Sequence, residues 1–61
     1  MEKVFIEVYT CKTHERVRFY YCFPNESPKV GEVLDFGFSK KWKVDEVDGT
    51  DRGYMVFVRE W

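Results

Sequence analysis

Few residues in this chain could carry nucleophilic or metal chemistry. They are Cys11, His14 and Cys22. A Ser/His/Asp or Cys/His centre needs a nucleophile, a base within hydrogen-bond reach and a group that orients the base. Cys11 and His14 share one polar stretch, Thr10 to Glu15, which reads as an exposed loop without pocket walls. His14 is therefore expected to be a solvated loop residue. As metal donors, Cys11-x-x-His14 and Cys22 make a set of three, whereas structural zinc takes four, usually as two close pairs. Cys22 has no near partner in the sequence. If the flanking segments form a hairpin with its tip near residues 12–14, Cys22 falls across from about Val4 and Cys11 near Glu15. Their Cα atoms then lie beyond the roughly 7 Å limit for a disulfide. Two reduced thiols acting as small apolar fillers are expected, which suits a cytoplasmic protein. Paired carboxylates would need a cleft to shift one pKa, and a barrel of this size is filled by its own side chains. The glycines at 31, 37, 49 and 53 are isolated, so nothing resembles a phosphate cradle. The residues thus point away from an enzyme, a cofactor and a metal.

The elements that position these residues read as strands. The chain has 61 residues and a net charge of -1, with 20% aromatic residues. It contains nine Val, no Ala and no Gln. β-Branched and aromatic side chains suit a pleated, half-buried surface. No apolar run approaches the roughly 20 residues of a membrane helix. No charged segment leads into an apolar one as in a secretory signal. The apolar share, 44%, is too high for a disordered chain. The chain starts at Met1 and enters a strand by residue 3, which reads as a whole small gene product with one domain over residues 1–61.

In Lys3–Tyr9, Val4, Ile6 and Val8 share one face, at the period of two that marks a strand. In Arg16–Phe23, Val17, Phe19, Tyr21 and Phe23 alternate with Arg16, Arg18, Tyr20 and Cys22. Pro24 ends that strand. Residues 24–31 form the longest connection, with room for one short helical turn and a turn at Pro28–Gly31. The third strand is Glu32–Phe38, with Gly37 suggesting a bulge or bend. The fourth starts at Trp42 and shifts phase around Asp45–Glu46, another bulge signal. Asp48–Gly53 is a turn, and Tyr54–Trp61 is the fifth strand. Five short strands make an all-β fold, a five-stranded antiparallel meander. An SH3-like barrel is the first expectation and a partly open OB-like barrel the alternative. The expected core is Val4, Ile6, Val8, Val17, Phe19, Tyr21, Val30, Val33, Phe36, Trp42, Val44, Val47, Val56 and Val58.

The segment Pro28-Lys-Val-Gly-Glu-Val-Leu-Asp-Phe, followed by Trp42-Lys-Val-Asp-Glu-Val and an alternating last strand, resembles short β-barrel proteins encoded by bacteriophages. In those a Pro-x-Val-Gly-Glu turn opens the central hairpin. The resemblance covers about residues 28–61 and carries no catalytic residues. It implies a phage or mobile-element source, the cytoplasm of a host cell, and a role in binding and inhibiting a host protein.

Outward positions carry more apolar surface than solubility needs. With the alternation above, Phe5, Tyr20, Met55, Phe57 and Trp61 point out, and Arg18 and Arg59 stand at the rim with Lys3 and Glu7. A contiguous apolar patch rimmed by charge is a typical binding surface, and aromatics and Arg are the usual hot-spot residues. The expected function is a small protein-interaction module. A homodimer interface or a second small core would use the same residues. Single-stranded nucleic acid is the alternative partner, through Arg16, Arg18, Lys40, Lys41 and Lys43 with Phe5, Tyr20 and Phe57 as stacking platforms. Against it, residues 31–61 carry 5 basic and 7 acidic side chains, where a phosphate binder should show excess positive charge.

Overall fold

The computed structural model describes residues 2–37 and 39–61, so the expected apolar role of Phe38 lies outside the described residues. Five strands form one sheet: β1 (Val4–Thr10), β2 (Arg16–Cys22), β3 (Val33–Asp35), β4 (Lys41–Gly49) and β5 (Gly53–Glu60). Their spatial order is β2-β1-β5-β4-β3. The sheet curls into a half-barrel, and the all-β, five-stranded expectation stands. A single 3-10 turn, Pro24–Glu26, occupies the long connection, as its length allows. Among the described residues no helix is long and apolar enough to cross a membrane.

One pairing departs from the expected antiparallel meander. β1 and β5 are neighbours and run parallel, with Phe5 opposite Gly53 and Val8 opposite Val56. The reason is parity. Each strand reverses direction relative to the one before it, so the fifth runs the same way as the first. When the curl of the sheet brings first and last together, they must pair parallel. The other three ladders are antiparallel.

The turns follow local chemistry. Thr10 and Thr13 hydroxyls lie 2.6 Å apart across the first loop, and His14 takes a left-handed φ of 59°, which His tolerates better than most residues. In the 29–32 turn the Glu32 N–H donates to the Lys29 carbonyl at 3.0 Å. Gly31, at φ 94°, supplies the left-handed third residue that this turn requires. The Gly31 N–H then donates to the Val44 carbonyl and the Val44 N–H to the Glu32 carbonyl. Thr50 Oγ1 accepts from the Arg52 and Gly53 N–H groups and closes the last hairpin. The expected bulge at Asp45 is present as a register shift between Val44 and Glu46.

The core sits on the concave face. Ile6, Val8, Val44, Val56 and Val58 are fully buried there, with Val4, Val17, Tyr20, Cys22, Leu34, Phe36, Trp42, Val47 and Tyr54 packed against them. Four residues expected in the core lie elsewhere. Phe19 is 54% exposed and Tyr21 64%, because the phase of β2 is opposite to the one its apolar alternation suggests. Directly opposed residues share a face, and Ile6 opposes Tyr20 while Val4 opposes Cys22. A register shift between Val8 and Tyr9, against Arg18 and Arg16, takes up the odd residue at Val17. Val33 opposes Lys43 on the convex face, leaving Leu34 and Trp42 as the inward pair. Val30 is exposed on its turn, and Pro28 is the buried residue of that connection.

Candidate functional site

The convex face is built by register. Phe5, Glu7 and Tyr9 of β1 alternate with the buried Ile6 and Val8, so they point outward. Phe19 and Tyr21 of β2 oppose Glu7 and Phe5 and join them. Met55 and Phe57 of β5 oppose Glu7 and Tyr9 and complete the row. On β4, Asp48 opposes Met55 and Glu46 opposes Phe57. The face thus has an aromatic middle, a carboxylate flank on β4 and Arg16 on β2.

Two aromatic groups occupy that middle. Phe5 meets Phe19 edge-on at 6.0 Å between centroids and Tyr21 at 5.1 Å. The Arg16 guanidinium lies 4.7 Å from the Phe19 centroid and 3.9 Å from Glu7. Beyond Glu7, Tyr9 lies 6.0 Å from Phe57, and the His14 ring reaches Phe57 at 5.9 Å. The Tyr9 hydroxyl donates to Glu7 Oε2 at 2.9 Å. That bond to an anion, with some burial and the Glu7 charge, raises the Tyr9 pKa, so the phenol stays a neutral donor. Glu7 links the two groups through Arg16 and Tyr9.

Of the expected binding residues, Phe5, Met55 and Phe57 lie together on this face. Tyr20 and Arg18 do not join them. Tyr20 packs inward, its ring edge-on to Phe36 at 6.3 Å, and burial is the main cause of its raised pKa. Arg18 is opposite Val8 and lies 5.2 Å over the Phe36 ring. Tyr20 and Arg18 therefore approach Phe36 from the β2 side, where the half-barrel has no ladder to β3 among the described residues. Arg59 and Trp61 form a separate cluster at the end of β5. Lys43 stands 4.2 Å over the Trp61 ring, Arg59 6.0 Å from it, and Arg59 pairs with Asp45 at 3.2 Å. Phe19 and Tyr21 are the binding candidates that the strand alternation misassigns to the core. The signal that finds them is the register of the first hairpin.

The chemistry-bearing residues are engaged in other ways. Cys11 and Cys22 are free thiols at opposite ends of β1. The Cys11 Sγ–H donates to Asp45 Oδ2 at 3.4 Å, in a shallow cleft lined by Thr10, Trp42, Val58 and Arg59. Partial burial, then the Asp45 hydrogen bond and charge, raises its pKa. Burial and the Glu26 charge raise that of Cys22. Both shifts disfavour the thiolate that nucleophilic attack or metal binding needs. Among the described residues no three His, Cys, Asp or Glu side chains converge as metal ligands do. Two groups of cations stand apart. Lys40, which pairs with Glu60 at 3.3 Å, belongs with Lys43 and Arg59 near the Trp42–Trp61 end, and Arg16 and Arg18 lie on β2. Asp45, Glu46 and Asp48 stand on β4, the same strand as Lys43. No family model, curated protein or solved structure matches the chain, and the functional reading accordingly rests on the geometry of this face.

Proposed function

We propose that the chain is a small protein-binding module that docks a partner through the convex face of its sheet. The observation that carries the reading is the cluster in which Phe5 touches both Phe19 and Tyr21 while those two rings remain 54% and 64% exposed. A contiguous aromatic area rimmed by charge is what interface cores use. The rim is polar in the electrical sense, with Arg16 on one flank and Glu46 and Asp48 on the other. It favours a partner surface with the opposite arrangement. The resemblance to short phage-encoded barrels makes a host protein in the cytoplasm the partner, and steric inhibition the mechanism, since the module supplies a rigid surface.

Single-stranded nucleic acid is the second reading, favoured by Arg16 stacked on the open Phe19 ring. The two separate by salt. Three phosphate contacts would weaken binding about ten-fold between about 0.15 and 0.5 M salt, whereas an apolar interface holds. The test is capture from lysate of the source or host cell by the immobilised chain, with and without nuclease. A protein retained through both treatments by the parent and lost by Phe57→Glu is the expected result. Material lost with salt or nuclease moves the assignment to nucleic acid. A captured set unchanged by Phe57→Glu removes the face from the account.

A further inference from the structure

The sheet has two edges, and they differ in how they are protected. β3 is three residues long, and its end is turned by the Gly37 N–H donating to Asp35 Oδ1 at 2.9 Å. That is a blunted edge. β2 is seven residues long, without Pro or Gly, and its bulge lies only at the Val17 end. Its hydrogen-bonding phase is set by β1. Phe5 N–H donates to the Arg52 carbonyl and Cys11 N–H to the Val58 carbonyl, so odd-numbered residues of β1 turn their backbone toward β5. Even-numbered ones turn toward β2, as the Thr10 N–H to Glu15 carbonyl bond shows. Tyr20, opposite Ile6, and Cys22, opposite Val4, then bond to β1. The N–H and C=O groups of Phe19 and Tyr21 point away from the sheet, with no backbone partner among the described residues.

Resting on the protein-binding reading, we infer that the β2 edge accepts an extended acidic segment of the partner polypeptide as a sixth strand. Strand addition satisfies the four open backbone groups of Phe19 and Tyr21 and reads side chains at alternate positions. Charge selects the occupant. Arg16 and Arg18 lie on this strand. Arg18 faces Phe36 with no carboxylate within ion-pair distance among the described residues. β2 carries no carboxylate, so a second copy pairing along it would leave both Arg18 side chains without an opposite charge. An incoming strand with carboxylates on the concave side meets Arg18. Apolar residues at its alternate positions extend the Phe5–Phe19–Tyr21 cluster on the convex side.

The test uses a fluorescein-labelled peptide as long as β2 that alternates glutamate and valine, with a lysine-for-glutamate peptide as its control. Fluorescence anisotropy should show the acidic probe binding at least about ten-fold tighter than the lysine probe. The Phe19 N–H makes no ladder bond to β1, so Phe19→Pro removes the edge donor and the ring without taking a bond from the β1 ladder, and it fixes φ near about −65°. Phe19→Val removes the ring alone. Phe19→Pro should bind the acidic probe at least about ten-fold more weakly than Phe19→Val. Methylating alternate backbone nitrogens of the probe tests the same ladder on the unaltered protein, and it should abolish binding. Equal affinity for the two probes, equal affinity of the two Phe19 variants, or retained binding of the methylated probe overturns the inference. So does a dimer in sedimentation that Phe19→Pro dissolves. Phe57 lies on β5, with β1 between it and β2, so the capture experiment with Phe57→Glu tests the convex face separately from the peptide probe.

Discussion

Adjacent tyrosines on β2 should differ sharply in their value to the fold. Tyr20 packs inward against the core and Phe36. Tyr21 is 64% exposed and touches Phe5. An aromatic side chain buries about 150–250 Å² when fully enclosed. For Tyr20, most of that area leaves water. At about 25 cal/mol per Å² this amounts to about 3 kcal/mol, before the edge contact with Phe36 adds about 0.5–1 kcal/mol. Discounting for residual burial in the unfolded chain, Tyr20→Ala should cost about 3 kcal/mol. Tyr21 loses about a third of that area together with its ring pair, so with the same discount Tyr21→Ala should cost about 1.5 kcal/mol. The difference of about 1.5 kcal/mol corresponds to about 6–12 °C in melting temperature for a domain of this size. Urea denaturation of both variants followed by circular dichroism measures it, with Tyr20→Phe expected to stay close to the parent. If Tyr21→Ala cost as much as Tyr20→Ala or more, the phase of β2, and with it the composition of the convex face, would be wrong.

Other outcomes follow from local geometry. A Cβ on Gly53 would overlap the Phe5 carbonyl oxygen and lie 2.7 Å from the Phe5 nitrogen, whereas one on Gly49 meets nothing within 4 Å. Gly53→Ala should therefore cost more than about 1 kcal/mol and Gly49→Ala close to nothing, as measured by thermal melts. Glu46 has a raised pKa from its hydrogen bond with Asp48 and the Asp48 charge. A carboxyl that binds its proton more tightly in the folded state opposes folding when ionised, and that opposition fades as pH falls through its folded pKa. Glu46→Gln should thus have a higher urea midpoint than the parent at pH 7, with the gap closing by about pH 3.5, below the ordinary glutamate range. Both thiols have raised pKa values. Iodoacetamide should label them more slowly at neutral pH in the folded chain than in urea, by mass spectrometry, and equal rates would contradict their placement.

Much of the fold was legible because its signals are local. Val4, Ile6 and Val8 alternate strictly, and the three set the core face of β1. The phase shift between Val44 and Val47 located the bulge. The phase of β2 was harder because both of its faces are apolar. Phe19 and Tyr21 make as good a core pattern as Tyr20 and Cys22 by hydropathy alone. The hairpin register was the stronger evidence. A loop tip near residues 12–14 puts Cys22 opposite Val4, and opposed residues share a face. That requirement sends Phe19 and Tyr21 outward. The parallel β1–β5 contact was legible by counting strands, since four reversals leave the fifth strand running the same way as the first. What could not be read was the separation of Arg59 and Trp61 from the main patch. It depends on how Lys43 and Asp45 are presented across the bulge, a contact between strands that spacing along one strand does not encode.

A partner seated on the convex aromatic face must leave its footprint there. The most direct measurement is a nuclear magnetic resonance footprint of the isotope-labelled chain, titrated with the protein retained in the capture experiment. The Phe5, Phe19, Tyr21 and Phe57 rings and the Met55 methyl are expected to shift together, while the Val44 and Val58 methyls stay in place. A footprint centred on Trp42, Lys43 and Trp61, or one confined to the acidic hairpin at residues 48–53, would contradict it.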